Sequence, residues 1–226
     1  MKDTASILNE KGYDYYYFKE EGIKPETVKL RFCDIIPELK DLEIGKSYLY
    51  KHQYEAYNEL LKGKNLILKS GTGSGKTEAW LIYALSKRVK TLVIYPTLAL
   101  ANDQIKRIEA YSEKLNLKCL AIDAFKKSKF LKEYNRARLI EILSSQDILV
   151  TNPAFLMFEV KNIAKKGKSL LHNAIKYADL IVIDEIDFYS PREIALILGL
   201  LDLIKAFNER NFFSSSLSSF LLIKLS

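Results

Sequence analysis

Eight consecutive residues, Ser70-Gly71-Thr72-Gly73-Ser74-Gly75-Lys76-Thr77, carry the clearest chemistry in this 226-residue sequence. Three glycines spaced by small hydroxyl residues let backbone N–H groups turn inward around an anion. An apolar run, Leu66-Ile67-Leu68, leads in, and Glu78-Ala79-Trp80-Leu81 continues as a helical stretch. The dipole and unpaired N–H groups of that helix therefore aim at the same point. In such a loop Gly71, Thr72, Gly73, Ser74 and Gly75 cradle a phosphate chain, Lys76 reaches the β- and γ-phosphates, and the Thr77 hydroxyl binds Mg2+. One departure is Ser70, which stands where the strict G-x-x-x-x-G-K-[ST] pattern has Gly. A second constellation follows the apolar run Leu180-Ile181-Val182-Ile183, which ends in Asp184-Glu185-Ile186-Asp187. Adjacent carboxylates beside a phosphate loop divide the work of phosphoryl transfer: Asp184 holds Mg2+ through water, and Glu185 polarises the attacking water. Lys76, Asp184 and Glu185 are thus the catalytic candidates. Asp187 is better suited to pairing with neighbouring segments than to touching nucleotide.

Both constellations need a scaffold that brings them together, and the hydrophobic pattern supplies one. Short apolar runs at Asn65–Lys69, Thr91–Tyr95, Lys118–Ile122, Asp147–Val150 and Leu180–Ile183 read as buried strands. Stretches with helical spacing separate them: Gln53–Leu61, Lys76–Arg88, Leu98–Leu115, Leu131–Leu143, Leu170–Tyr177 and Pro191–Phe207. Such alternation predicts an α/β fold, a parallel sheet with helices on both faces and right-handed crossovers. Ligands in these sheets sit beyond the carboxyl ends of the strands. The phosphate loop and the acidic pair both fall there.

Composition narrows the class further. With 48% hydrophobic and 28% charged residues, the chain is neither disordered nor fibrous. Two cysteines, Cys33 and Cys119, are too few for a disulfide framework or a metal cage and suit a reducing cytosol, so a cytoplasmic protein is expected. No apolar run approaches the roughly 18 residues of a membrane span, and the charged, tyrosine-rich start is not expected to be a signal peptide. Net charge is +7, unevenly spread. Residues 1–45 carry 7 Lys/Arg against 10 Asp/Glu, whereas Lys118–Arg138 has 7 basic and 2 acidic residues. That clustering suits a polyanionic partner, and a solvated lysine face suits it as well. The aromatic run Tyr13–Phe18 is open to two readings, packing against the main domain or stacking on bases.

The order of these segments resembles the first RecA-like domain of superfamily-two helicases of the DEAD/DEAH-box type, over roughly Tyr48 to Phe207. Ser70–Thr77 is similar to motif I, and Asp184–Asp187 to motif II, with Ile186 where many members have Ala. Leu49-Tyr50-Lys51-His52-Gln53 looks like the Q motif, 23 residues ahead of Lys76. The resemblance implies a RecA-like P-loop domain using ATP and Mg2+, with Gln53 reading the adenine edge. Tyr95–Gln104 resembles motif Ia and Val150–Pro153 motif Ib, which implies nucleic-acid contacts at Pro96, Thr97, Thr151 and Asn152. Thr-Asn-Pro at motif Ib looks more like DNA-handling members than RNA-remodelling ones, so DNA is favoured over RNA as partner.

The resemblance has gaps. No Gly-Asp or Gly-Gly segment stands between motifs Ia and Ib; Ala121-Ile122-Asp123-Ala124-Phe125 occupies that place. No Ser-Ala-Thr motif III follows motif II, and six of the last 13 residues are serine. Three segments are therefore expected: an N-terminal extension over 1–45, the RecA-like ATP-binding domain over 46–210, and an atypical Ser-rich tail over 211–226 that reads as a truncation or frameshift. A single half of a two-domain motor is expected to bind ATP yet unwind nothing. It needs a second RecA-like domain or a partner chain, or it acts as a nucleotide- and nucleic-acid-binding module.

Overall fold

The computed structural model describes residues 26–70, 75–207 and 219–225, with backbone alone at 69–70 and 219–225. Six parallel strands form the central sheet: β3 (Leu66–Ser70), β4 (Thr91–Ile94), β5 (Cys119–Ala121), β6 (Ile148–Thr151), β7 (Leu180–Ile183) and β8 (Ser219–Leu225). Their order across the sheet is β3-β8-β7-β4-β6-β5. Every residue of β4, β6 and β7 is buried, which explains their uninterrupted apolar runs: both faces of the sheet are covered. Side chains alternate between two layers. Val93, Val150 and Val182 face one, and Leu92, Leu149 and Ile181 face the other.

The first layer is closed by α4 (Lys76–Lys87) and α5 (Asn102–Lys114), through Trp80, Leu81, Leu85, Ile105 and Ile108. A small N-terminal element packs on the same side. It comprises β1 (Thr27–Arg31), α1 (Phe32–Ile35), α2 (Glu43–Lys46) and β2 (Tyr48–Tyr50), which leads into α3 (Lys51–Leu61). Strands β1 and β2 pair antiparallel, and Phe32, Ile36, Leu39 and Leu49 are buried in the main core. Gly45 is required there because a Cβ would collide with the Leu39 carbonyl. The second layer is closed by α7 (Arg136–Ser144), α8 (Pro153–Lys166), α9 (His172–Lys176) and α10 (Pro191–Phe207). Among the described residues no helix is long and apolar enough to cross a membrane.

The structure departs from the sequence pattern in four places. In place of one helix over Leu131–Leu143 there are two, α6 (Ala124–Glu133) and α7, separated by extended Tyr134. Each has its own N-cap: Asp123 accepts from the Lys126 N–H and Asn135 from the Arg138 N–H. Helix α5 starts at Asn102, not Leu98, because Thr97 organises a separate turn before it. The helix opened by Pro153 runs 14 residues, to a left-handed C-cap at Gly167. Finally, β8 lies within the segment read as an atypical tail, yet it runs through the sheet, hydrogen-bonded to β3 on one side and β7 on the other. The aromatic run Tyr13–Phe18 lies outside the described residues.

Candidate nucleotide and nucleic-acid site

A cleft of about 380 Å3 opens beyond the carboxyl ends of β3 and β7. Gly75, Lys76, Thr77 and Glu78 form one wall, Asp184 and Glu185 a second, and Tyr48, Tyr50 and Gln53 a third. Of the phosphate-loop candidates, Gly71, Thr72, Gly73 and Ser74 lie outside the described residues. Gly75 enters α4 with φ of 70°, left-handed backbone that suits glycine, and a Cβ there would collide with Gln53 Nε2.

Gln53 is 2% exposed and ties two walls together. Its Oε1 accepts the Tyr50 N–H at 2.8 Å, and its Nε2 donates to the Gly75 carbonyl at 2.9 Å. A carboxamide has a second N–H and a second lone pair, so one donor and one acceptor remain on a group already fixed in orientation. Lys76 is buried, and burial lowers its pKa while the Glu185, Asp184 and Asp187 carboxylates hold it up.

Asp184 is 2% exposed, and its carboxyl is pushed up to about 6, chiefly by burial. The Glu185 N–H, at 2.8 Å from Oδ1, the Tyr95 hydroxyl and Lys76 pull the other way, while the Glu185 carboxylate adds to the rise. Burial next to Asp184 in turn keeps the Tyr95 hydroxyl firmly protonated. Glu185 is half-buried with φ of 55°, a left-handed conformation uncommon for a side chain of its size. Backbone of that kind aims a group at a cost the surrounding fold must meet. Asp187 is exposed.

The nucleic-acid candidates lie at the carboxyl ends of the paired strands β4 and β6, outside this cleft. Pro96 is half-buried and Thr97 exposed, with Thr97 Oγ1 accepting the Leu100 N–H at 3.2 Å. Thr151 corrects the sequence reading. It is fully buried, and its hydroxyl donates to the Ile122 carbonyl at 2.8 Å, latching β6 to the end of β5. A hydroxyl spent inside the sheet has no access to a ligand. Asn152 is half-buried and caps α8, its Oδ1 accepting the Phe155 N–H at 2.9 Å.

The DEAD/DEAH box helicase family model matches residues 50–220, spanning the Q-motif glutamine, the phosphate loop, both strand-end turns and the acidic pair. This chain belongs to the DEAD/DEAH box helicase family. Relatives include the uncharacterized ATP-dependent helicase YprA of Bacillus subtilis, 28% identical over 181 residues, which cover 74% of this chain and 22% of that protein. The ATP-dependent helicase HRQ1 of Saccharomyces cerevisiae is 26% identical over 147 residues, covering 62% and 13% respectively. This helicase-family chain therefore spans less than a quarter of the length of either relative. Among solved structures, the DUF1998 helicase MrfA bound to DNA and AMPPNP superposes with a TM-score of 0.68 and 21% identity, covering 100% of this chain and 31% of that one. Mss116, a DEAD-box helicase bound to ssRNA and UDP-BeF, gives 0.59 with 17% identity. These likenesses establish the RecA-like α/β fold for the helicase-family chain described here.

Three features of the cleft escape sequence reasoning. Tyr95 reads in the sequence as a strand end and the start of the motif Ia-like segment, with no sign that its hydroxyl is buried next to Asp184. The left-handed backbone at Glu185 has no sequence signal, since neither Gly nor Asn marks it. Glu78 and Arg107 form an ion pair of 2.8 Å at the rim, with the Glu78 side chain only 6% exposed. A carboxylate at the third position of a helix and an arginine one turn after Gln104 were legible separately, but their pairing is a tertiary contact.

Proposed function

We propose that this chain is the ATP-binding first RecA-like domain of an ATP-dependent helicase or translocase acting on nucleic acid, DNA in preference to RNA. The observation that carries the reading is the convergence of Gly75, Lys76, Thr77, Gln53, Asp184 and Glu185 on one cleft at the carboxyl end of a parallel sheet. Lys76 neutralises charge on the β- and γ-phosphates, Gln53 presents its remaining donor and acceptor to the adenine edge, and Glu185 orients a water for in-line attack. The residues suit Mg2+. Asp184 Oδ2 is buried with no hydrogen-bond partner among the described residues, Thr77 lines the same cleft, and no described cluster of three or more metal-binding side chains forms an all-protein cage. A bound Mg2+ would neutralise phosphate charge during transfer.

Pro96, Thr97 and Asn152 are the nucleic-acid contacts in this reading, at strand ends that suit phosphate binding. DNA is favoured by Thr-Asn-Pro at the end of β6 and by the DNA-bound state of MrfA, the structure with the higher TM-score of the two compared. A second RecA-like unit, in the same protein or in a partner chain, completes the site by supplying arginine to the γ-phosphate. Such a finger is worth about 10³–10⁵ in rate. The chain alone is accordingly expected to bind Mg·ATP, to hydrolyse it very slowly and to unwind nothing. Single-turnover hydrolysis with Lys76→Ala and Glu185→Gln tests this: both variants should remove the residual activity, with Glu185→Gln retaining nucleotide binding. Fast turnover by the purified chain would overturn the need for a second unit, and binding indifferent to Lys76→Ala would overturn the nucleotide site itself.

A further inference from the structure

Glu78 is an unusual neighbour for a triphosphate. It stands at the first turn of α4, one residue past Thr77, where the helix dipole and Lys76 gather negative charge. Its Oε1 is held by Arg107 Nη1 at 2.8 Å. Its Oε2 is buried, has no hydrogen-bond partner among the described residues, and lies 3.3 Å from where a Cβ on Gly75 would stand. Glu78, Gln104 and Arg107 all line the cleft. Gln104 Oε1, Asp184 Oδ2 and Glu185 Oε2 in the same lining also lack partners among the described residues, so Glu78 is one of several buried acceptors in this cleft that a bound donor would satisfy.

We propose that Glu78 reads the sugar of the nucleotide, its Oε2 accepting a hydrogen bond from a ribose hydroxyl while Arg107 offsets the carboxylate charge against the phosphates. The inference rests on the nucleotide reading of the cleft. The phosphate end is marked by Lys76, Thr77, Asp184 and Glu185, and the base end by Gln53 and Tyr50. Glu78 Oε2 sits beside Gly75, whose carbonyl accepts from Gln53 and which directly precedes Lys76, so it is near both ends and suits the sugar that links them. An ionised carboxylate only accepts hydrogen bonds. It repels phosphate oxygens and the ring nitrogens of the base, which have no proton to give. The donors a nucleotide offers are the exocyclic amine, which falls to Gln53, and the ribose hydroxyls. A ribose hydroxyl is the donor that matches the position, and the bond it makes is charge-assisted. Arg107 sits on the helix that follows the Pro96-Thr97 turn, so the sugar contact is braced from the nucleic-acid side of the domain.

Equilibrium binding of Mg·ATP, Mg·2′-deoxy-ATP and Mg·3′-deoxy-ATP to the full chain tests this without a mutation. One deoxy analogue should bind about tenfold more weakly than ATP, a difference of about 1.4 kcal/mol. Glu78→Ala should bring the three to within about twofold of one another, and the nearly isosteric Glu78→Gln should narrow the gap. Equal binding of all three by the wild type, with Lys76→Ala abolishing each, would overturn the sugar contact and leave the nucleotide site standing. Equal weakening of all three by Glu78→Gln would also overturn it, making Glu78 a shaper of the loop alone. Binding of none, or binding untouched by Lys76→Ala, would bring down the nucleotide reading and this inference with it.

Discussion

Asp184 shows how a single carboxyl can tax the fold that hosts it. Burial holds its proton on up to about pH 6, well above the usual carboxylate range. Between about pH 4 and pH 6 the folded chain therefore binds more protons than the unfolded one, and stability falls as pH rises through that window. Above it the full penalty remains, roughly 3 kcal/mol for a shift of this size. Asp184→Asn should accordingly melt several degrees higher than wild type at pH 7.5 in buffer free of Mg2+ and nucleotide, and the gap should close toward pH 4. Identical melting temperatures at pH 7.5 would show that Asp184 is not strained by burial. Under the proposed nucleotide reading the same substitution would also remove a carboxylate that holds Mg2+, so gain in stability and loss of Mg·ATP binding should travel together. Residue type and spacing single out Lys76, Thr77, Asp184, Glu185 and Gln53 in the sequence, and the fold places all five around one cleft. Thr151 was misread because a strand-end threonine looks the same whether its hydroxyl faces solvent or, as here, bonds back to Ile122.

Elements were readable where hydrophobic period and length agreed, as in β4, β6 and β7, whose four-residue runs are buried on both faces. They were not where a cap interrupted a continuous apolar pattern: Asn135 splits α6 from α7, although its type is a recognised start signal. Strand β8 escaped for a different reason. Its serine-rich approach has the composition of a loop, and only pairing shows that Leu221 and Leu222 complete the ladders of both β3 and β7. A strand so placed tolerates proline poorly, since the lost N–H has no edge to face. Leu222→Pro should lower the melting temperature by several degrees and weaken Mg·ATP binding, because β3 and β7 lead into the two halves of the proposed nucleotide site. An unchanged melt would show that the sheet does not depend on β8.

At the scale of the whole molecule, charge and topology divide the surface. Helix α6 has no buried residue, and it carries Lys126, Lys127, Lys129 and Lys132 beyond the end of β5. Lys127 is committed to Glu159 at 3.8 Å and to the face of Phe158, whereas Lys129 lies over the exposed ring of Phe125. If α6 borders the strand path, binding of single-stranded DNA should weaken with salt in proportion to the phosphates neutralised. Replacing Lys126, Lys129 and Lys132 with Ala should then flatten the log–log salt slope by about 2. An unaltered slope would leave α6 as a solvated face, the other reading its composition allows.

Sheet order also has a temporal side. Leu66–Ser70 is made early and Leu180–Ile183 late, yet the two are joined only through Ser219–Leu225. During synthesis the strand bearing the phosphate loop must wait, unpaired on that flank, for roughly 150 further residues to emerge. The pairing that joins the two sides of the cleft therefore spans the longest sequence separation in the sheet, and closing it carries the largest loop-closure cost.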